Sequence, residues 1–141
     1  MEKFMTQATE TTRETTFTEA FSSFSVDDLK AAKEFYGDTL GLNVSGEEEG
    51  LALKFDKGAT IFLYPKDDHE PASFTVLNLS VSDIDAAVDD LTGRGIEFES
   101  YTGEIETDDK GIFRGKERGH GPNIAWFKDP AGNILSVMEG K

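Results

Sequence analysis

Residues 24–32 read FSVDDLKAA, and residues 79–87 read LSVSDIDAA. Ser25, Val26, Asp28, Ala31 and Ala32 recur 55 positions later as Ser80, Val81, Asp83, Ala86 and Ala87, with Leu29 matched by Ile84. Self-similarity at a fixed offset marks a duplicated structural unit. Both copies stand at the same kind of junction. Ahead of each, residues alternate with period two, the pattern of a strand with one buried face. Phe24 and Val26 alternate with Ser23 and Ser25, while Leu77, Leu79 and Val81 alternate with Val76, Asn78 and Ser80. Behind each, the apolar spacing becomes helical. Asp27 or Asp28 caps the first helix, because a carboxylate accepts from the free N–H groups of a first turn. Leu29, Ala32, Tyr36 and Leu40 form its stripe, and Gly41 stops it. Asp83 caps the second, Ile84, Ala87, Val88 and Leu91 line it, and Gly93 or Gly95 ends it.

Strand-like runs follow each helix. In the first half they span 42–47, 51–55 and 60–65, separated by EEEG and DKG turns, with Glu47, Glu48 and Glu49 at a hairpin tip. In the second half they span 96–101, 123–128 and 134–139, the last two joined by the turn Asp129-Pro130-Ala131-Gly132-Asn133. Each half therefore reads strand, helix, then three strands. The expected class is α+β, with two tandem βαβββ modules at about 19–65 and 73–140 and a linker at 66–72, together one domain over 19–141. Residues 102–122 are polar and glycine-rich, and a loop of that length is functional or mobile. Residues 1–18, rich in Thr and Glu without periodicity, form a disordered tail, a remnant of expression, or an arm that reaches a partner subunit.

The chain has 141 residues, is 37% hydrophobic and contains no cysteine, so disulfides, thiolate metal sites and a cysteine nucleophile are excluded. The first residues lack the apolar core of a secretory signal, and no apolar stretch is long enough to cross a membrane, so a cytoplasmic location is the expectation. Asp and Glu number 28 against 14 Lys and Arg, a net charge of −14. That argues against a nucleic-acid partner, which needs a basic surface. It favours a cationic ligand, or else reflects solubility or adaptation to high salt.

Two stretches carry a family resemblance. FSVDDLKAAKEFYGDTLGLNV, with its Phe-Tyr pair and Leu-Gly-Leu helix exit, looks like the first strand and helix of the vicinal-oxygen-chelate superfamily, the glyoxalase, bleomycin-resistance and dioxygenase type. IAWFKDPAGNILSVME looks like its closing hairpin. With the repeat, the resemblance covers about residues 19–140. It implies that curved mixed sheets form a cup that holds a small molecule, with helices on the outer face, and that two copies of the chain pair as a homodimer. It also implies four metal-ligand positions, which fall at Phe21, Phe62, Val76 and Ser136. None of these is a good donor to a divalent cation, which needs imidazole or carboxylate at about 2 Å. The expectation is no metal and no cofactor.

By strand parity, Phe21, Ser23, Phe62, Tyr64, Val76, Asn78, Trp126, Ser136 and Met138 face the cup. Phe24, Val26, Ile61, Leu63, Leu77, Leu79, Leu135 and Val137 pack on the helices. An aromatic, mostly apolar cup with a few polar groups suits a ligand pocket, and Trp126 suits a flat or cationic guest. The same aromatics could instead fill a closed core. Of the two histidines, His69 sits in the DDHEP linker with Asp67, Asp68 and Glu70. His120, at the end of the long loop, is placed for a ligand contact or a general base. Ser136 lacks a partner to activate it as a nucleophile. Three readings stand. The first is a metal-independent binding protein that sequesters an aromatic or cationic small molecule. The second is an enzyme (a lyase, isomerase or ring-cleaving dioxygenase) drawing ligands from His120 with Glu139 or Glu104. The third is a structural module with a filled cup.

Overall fold

The computed structural model describes residues 16–140. Most of the expected N-terminal segment therefore lies outside the described residues. Strand β1 (Ser22–Val26) leads into helix α1 (Leu29–Lys33), then β2 (Asn43–Glu47), β3 (Gly50–Lys54) and β4 (Ile61–Pro65). The second half runs β5 (Thr75–Val81), α2 (Ile84–Gly93), β6 (Ile112–Phe113), α3 (Gly115–Arg118), β7 (Ile124–Lys128) and β8 (Ile134–Glu139). The sheets repeat one topology, β1-β4-β3-β2 and β5-β8-β7-β6, in which the first strand pairs in parallel with the last and the other pairs are antiparallel. The fold is α+β, built of two tandem modules that form a curved mixed sheet.

The sequence repeat becomes a structural repeat through its aspartates. Asp28 accepts from the Ala31 N–H at 3.0 Å, and Asp83 accepts from the Ala86 N–H at 3.1 Å, so each copy caps its helix at the same place. The first helix then departs from α geometry. Glu34–Thr39 form a π-helical turn in which the Leu40 N–H reaches the Phe35 carbonyl at 2.9 Å. Gly41 ends the segment at φ 76°, a left-handed conformation that glycine adopts without strain.

One core runs through both modules. Phe24, Val26, Leu51, Leu53 and Leu63 come from the first sheet, and Leu77, Ala125, Phe127, Leu135 and Val137 from the second, with Tyr36, Ile84, Val88 and Leu91 from the helices. Phe35 of the π-helical turn meets Phe127 of the second sheet at 6.3 Å between ring centroids. A polar latch joins the modules beside this contact. The buried Tyr36 hydroxyl donates to Asp129 at 2.7 Å, and Asn133 Nδ2 donates both to Asp129 at 3.0 Å and to the Ser25 carbonyl at 2.9 Å. His69 sits over the same turn, with Nε2 3.0 Å from the Ala131 carbonyl oxygen and Nδ1 2.6 Å from Ser25 Oγ. The DDHEP histidine thus belongs to this latch.

The second module corrects two expectations. Residues 96–101 do not form a strand. Only Phe98 bridges Phe127, and the Glu99 N–H bonds the Trp126 carbonyl at 2.8 Å. At Tyr101 the chain turns away, because its N–H goes to Thr107 Oγ1 at 2.9 Å and its carbonyl accepts from the Thr107 N–H at 3.0 Å. The edge of β7 is completed instead by β6, from within the expected long loop, with Ile112 opposite Ala125 and Phe113 opposite Ile124. Gly111 lets the return pass close to Phe98, since a Cβ there would come within 2.8 Å of the Phe98 Cβ. The segment is also anchored. Arg114 donates to Asp85 at 2.8 and 2.9 Å and to Asp108 at 3.0 Å, and Lys110 reaches Asp85 at 3.1 Å and Asp89 at 2.9 Å. Among the described residues, no helix is long and apolar enough to cross a membrane.

Candidate functional site

The face of the second sheet that turns away from the core is laid out by register. Asn78, Ser136 and Trp126 lie side by side across β5, β8 and β7, and Ser80, Met138, Ile124 and Phe113 form the next row. In the middle row Ser136 is fully buried, its hydroxyl donating to Asn78 Oδ1 at 2.6 Å. Its small side chain lies directly opposite the large Trp126 in the register of β7 and β8.

A β-irregularity places the next contact. The pairing of β5 with β8 shifts between Thr75 and Leu77, so Thr75 stands opposite Ile134 and Val76 packs against the core cluster. Thr75 Oγ1 accepts from the Trp126 indole N–H at 3.1 Å and fixes the ring. Tyr101 meets Trp126 edge-on at 5.5 Å, and Phe113 lies 6.5 Å away on a tilted plane. With Phe74, Ile105 and Ile134, Trp126, Thr75 and Tyr101 line a cavity of about 490 Å³. Burial raises the Tyr101 pKa, aided by the charge of Glu99, so this wall stays neutral at physiological pH. Phe74 is 68% exposed and Ile105 45%, which makes them an apolar rim.

The residues expected to face the cup are distributed as follows. Trp126 lines this cavity. Ser136 and Asn78 share its row of the sheet but do not line that cavity, Ser136 being fully buried and Asn78 lining a separate pocket with Leu42, Phe55 and Ile61, and Met138 lies at the opposite end of the same face. Ser23, Phe62 and Tyr64 lie on the corresponding face of the first sheet, where Ser23 is exposed, Phe62 half-buried and Tyr64 exposed. Phe21 precedes β1 and is 67% exposed. His120 is exposed just after α3, its backbone N–H bonded to the Gly115 carbonyl at 2.9 Å. Val76 is turned from this face by the register shift, and Thr75 takes its place beside Trp126. No sequence signal marks that shift. Tyr101 and Ile105 reach the cavity through the excursion of the chain at Tyr101, which replaced the expected strand.

The residues present do not fit a divalent metal at the resemblance's ligand positions. Two carry phenyl rings, Val76 packs on the core, and the Ser136 hydroxyl is engaged by Asn78. Among the described residues, no three His, Asp or Glu side chains gather as a metal site. Glu139, weighed as a ligand beside His120, is occupied otherwise. It accepts from Lys116 Nζ at 3.0 Å, Asn123 Nδ2 at 3.1 Å and the Ile84 N–H at 3.1 Å, and the Lys116 and Ile84 bonds hold its carboxyl below the usual range.

Comparisons with known proteins agree with this architecture. Residues 19–137 match the family model described as the Glyoxalase/Bleomycin resistance protein/Dioxygenase superfamily. The comparison with curated proteins finds no match. Among solved structures, a putative glyoxalase family protein from Bacillus anthracis is similar at a TM-score of 0.65 and 19% identity, covering 92% of this chain and 99% of the other. An antibiotic binding protein from a Streptomyces species gives 0.61 and 20%, covering 91% and 100%. A member of the same superfamily from Sphaerobacter thermophilus gives 0.60 and 24%, covering 87% and 98%. These identities speak for the fold alone, whereas the family model spans nearly the whole chain. The chain belongs to the glyoxalase/bleomycin resistance protein/dioxygenase superfamily.

Proposed function

We propose that this chain is a metal-independent small-molecule binding protein that holds a flat aromatic guest against Trp126. The observation that carries the reading is the cavity of Phe74, Thr75, Tyr101, Ile105, Trp126 and Ile134. It has the size of a small-ligand site, apolar walls, and one indole oriented by a hydrogen bond. Preorganised aromatic walls bind planar guests by stacking and edge contacts, at little conformational cost. The net charge of −14 draws cationic guests toward the molecule, and a cation over the indole face adds attraction. One of the similar structures is an antibiotic binding protein, which fits sequestration rather than conversion.

The matching face of the first sheet supports a homodimer. Phe21 and Tyr64 stand exposed there, and in the central row Phe62 and Ala52 reverse the small-and-large order of Ser136 and Trp126. A partner's first sheet set over this chain's second sheet would place large side chains against small ones and shield the apolar rim.

The test uses the single tryptophan. Titration with planar aromatic cations, acridine orange among them, should quench or shift Trp126 emission saturably, and Trp126→Leu should abolish binding measured by calorimetry. Elemental analysis of chelator-free protein soaked in Zn, Ni, Mn or Fe(II) should find well under one metal per chain. Stoichiometric metal released by His120→Ala would overturn the metal-independent reading.

A further inference from the structure

We infer that a second pocket, at the other end of the same sheet face, takes an apolar guest bearing a carboxylate, with Lys116 as its anchor. Ser80, Lys116, Gly121, Pro122, Met138, Glu139 and Gly140 line an open pocket of about 460 Å³. None of these residues is shared with the Trp126 cavity. From Thr75 in one to Ser80 in the other is five residues of strand, about 16 Å at the usual rise. Apart from Lys116 and Glu139, the walls are Met138, Pro122, glycine backbone and the Ser80 hydroxyl.

The charge sense follows from how the two ionic groups are used. Glu139 is a poor receptor for a guest cation. Its side chain is only 19% exposed and already accepts from Lys116, Asn123 and the Ile84 N–H. Lys116 is the opposite case. Its side chain is 48% exposed, and an ammonium carries three donors. Glu139 Oε1 takes one of them. The bond from Asn123 and the bond from Ile84 hold Glu139 in place whether or not Lys116 leans away, so the ammonium can bridge to a guest carboxylate without stranding a charge. Helix α3 also carries Arg118, whose guanidinium lies over the Phe113 ring at 5.8 Å, on the row that contains Ser80 and Met138. Arg118 is itself paired with Glu106 at 3.7 Å, which leaves Lys116 as the one cationic side chain among the residues lining the pocket. The inference does not rest on the Trp126 reading, because the pocket, the anchor and the charge sense are all different.

Three matched probes separate the possibilities: 2-naphthoate, 2-naphthamide and 2-naphthylmethylammonium. The site readout is the Met138 methyl resonance in protein labelled with ¹³C-methyl methionine, assigned with Met138→Leu. The chain has three methionines, and Met138, the one methionine among the described residues, lines this pocket. 2-Naphthoate should shift the Met138 methyl saturably and bind more tightly than the amide or the ammonium. Lys116→Met should weaken it about tenfold, the loss of one charge-assisted hydrogen bond, while Lys116→Arg should retain it. Unchanged naphthoate affinity in Lys116→Met, a shift produced equally well by the ammonium probe, or no shift at Met138 would each overturn the inference. Trp126 emission, followed in the same titrations, reports the other pocket, so failure of one site is distinguishable from failure of the other.

Discussion

At the scale of single residues, the strongest constraints are buried polar groups and one glycine. Tyr36 is buried completely, and burial, reinforced by the charge of Asp129 and the hydrogen bond to it, raises the pKa of its phenol, which favours the protonated, donating hydroxyl. Tyr36→Phe removes one hydrogen bond to a buried carboxylate and should lower stability by about 1.5–3 kcal/mol, read from urea denaturation. Gly50 is constrained by space as well as conformation. At φ 154°, a Cβ would collide with the Phe62 ring and lie 2.7 Å from the Leu63 carbonyl oxygen. The ring of Phe62 therefore lies over the glycine. Gly50→Ala should cost about 1–3 kcal/mol through overpacking and strain. Gly50→Ala with Phe62→Ala should cost less than the sum of the single changes, and additivity in that double-mutant cycle would refute the contact. That Trp126 lies on the sheet face turned from the core was legible from strand parity alone. Thr75, which orients it, was not, because the register shift that turns Val76 away leaves the period-two pattern of β5 intact.

At the scale of elements, the segment between α2 and β7 has little regular structure beyond the two-residue β6 and the short α3, and ion pairs tie it to α2. Hydrogen bonds from Arg114, then Lys110, hold Asp85 well below the ordinary carboxylate range. At Asp108, burial opposes the charge, but the Ile112 and Lys110 N–H groups and Arg114 outweigh it and lower the pKa. Glu139 is lowered as well, and the ordinary values are 3.8 for the aspartates and 4.5 for the glutamate. A carboxylate with a depressed folded pKa contributes stability in full above its unfolded value and loses it as pH falls through the folded one. The denaturation midpoint should therefore hold down to about pH 5 and then decline steadily into acid. Arg114→Gln should lower stability at neutral pH, flatten that acid limb, and speed amide exchange across residues 108–114. An unchanged acid limb would show that the network is energetically idle, as many exposed ion pairs are. This segment is also where sequence reading met its limit. Strand β6 has only two residues, too short for a period to show, and the ion pairs that anchor it join residues far apart in sequence. The two repeated strand-helix junctions were legible because their alternation, cap and stripe are all local. The π-helical turn was not, because its residues keep ordinary helical spacing of apolar positions.

At the scale of the whole molecule, the charge of −14 opposes compaction. Added NaCl screens that repulsion, with a Debye length falling from about 30 Å at 0.01 M to about 3 Å at 1 M. The melting temperature should rise over that range, and a flat or falling curve would mean that the screened ion pairs matter more than the net repulsion. The latch between the modules reaches beyond the stability of the finished fold. Asp129 is made 93 positions after Tyr36, its partner in the one bond, and Asn133 108 positions after Ser25 in the other. Until then the first module has an interior phenol without its acceptor and an apolar helix face without Phe127. The duplication repeated the unit, but the buried phenol of the first copy finds its acceptor only in the second. A nascent chain arrested before Asp129 should remain open to protease within its first module, and synthesis past Asn133 should close both modules in one cooperative step.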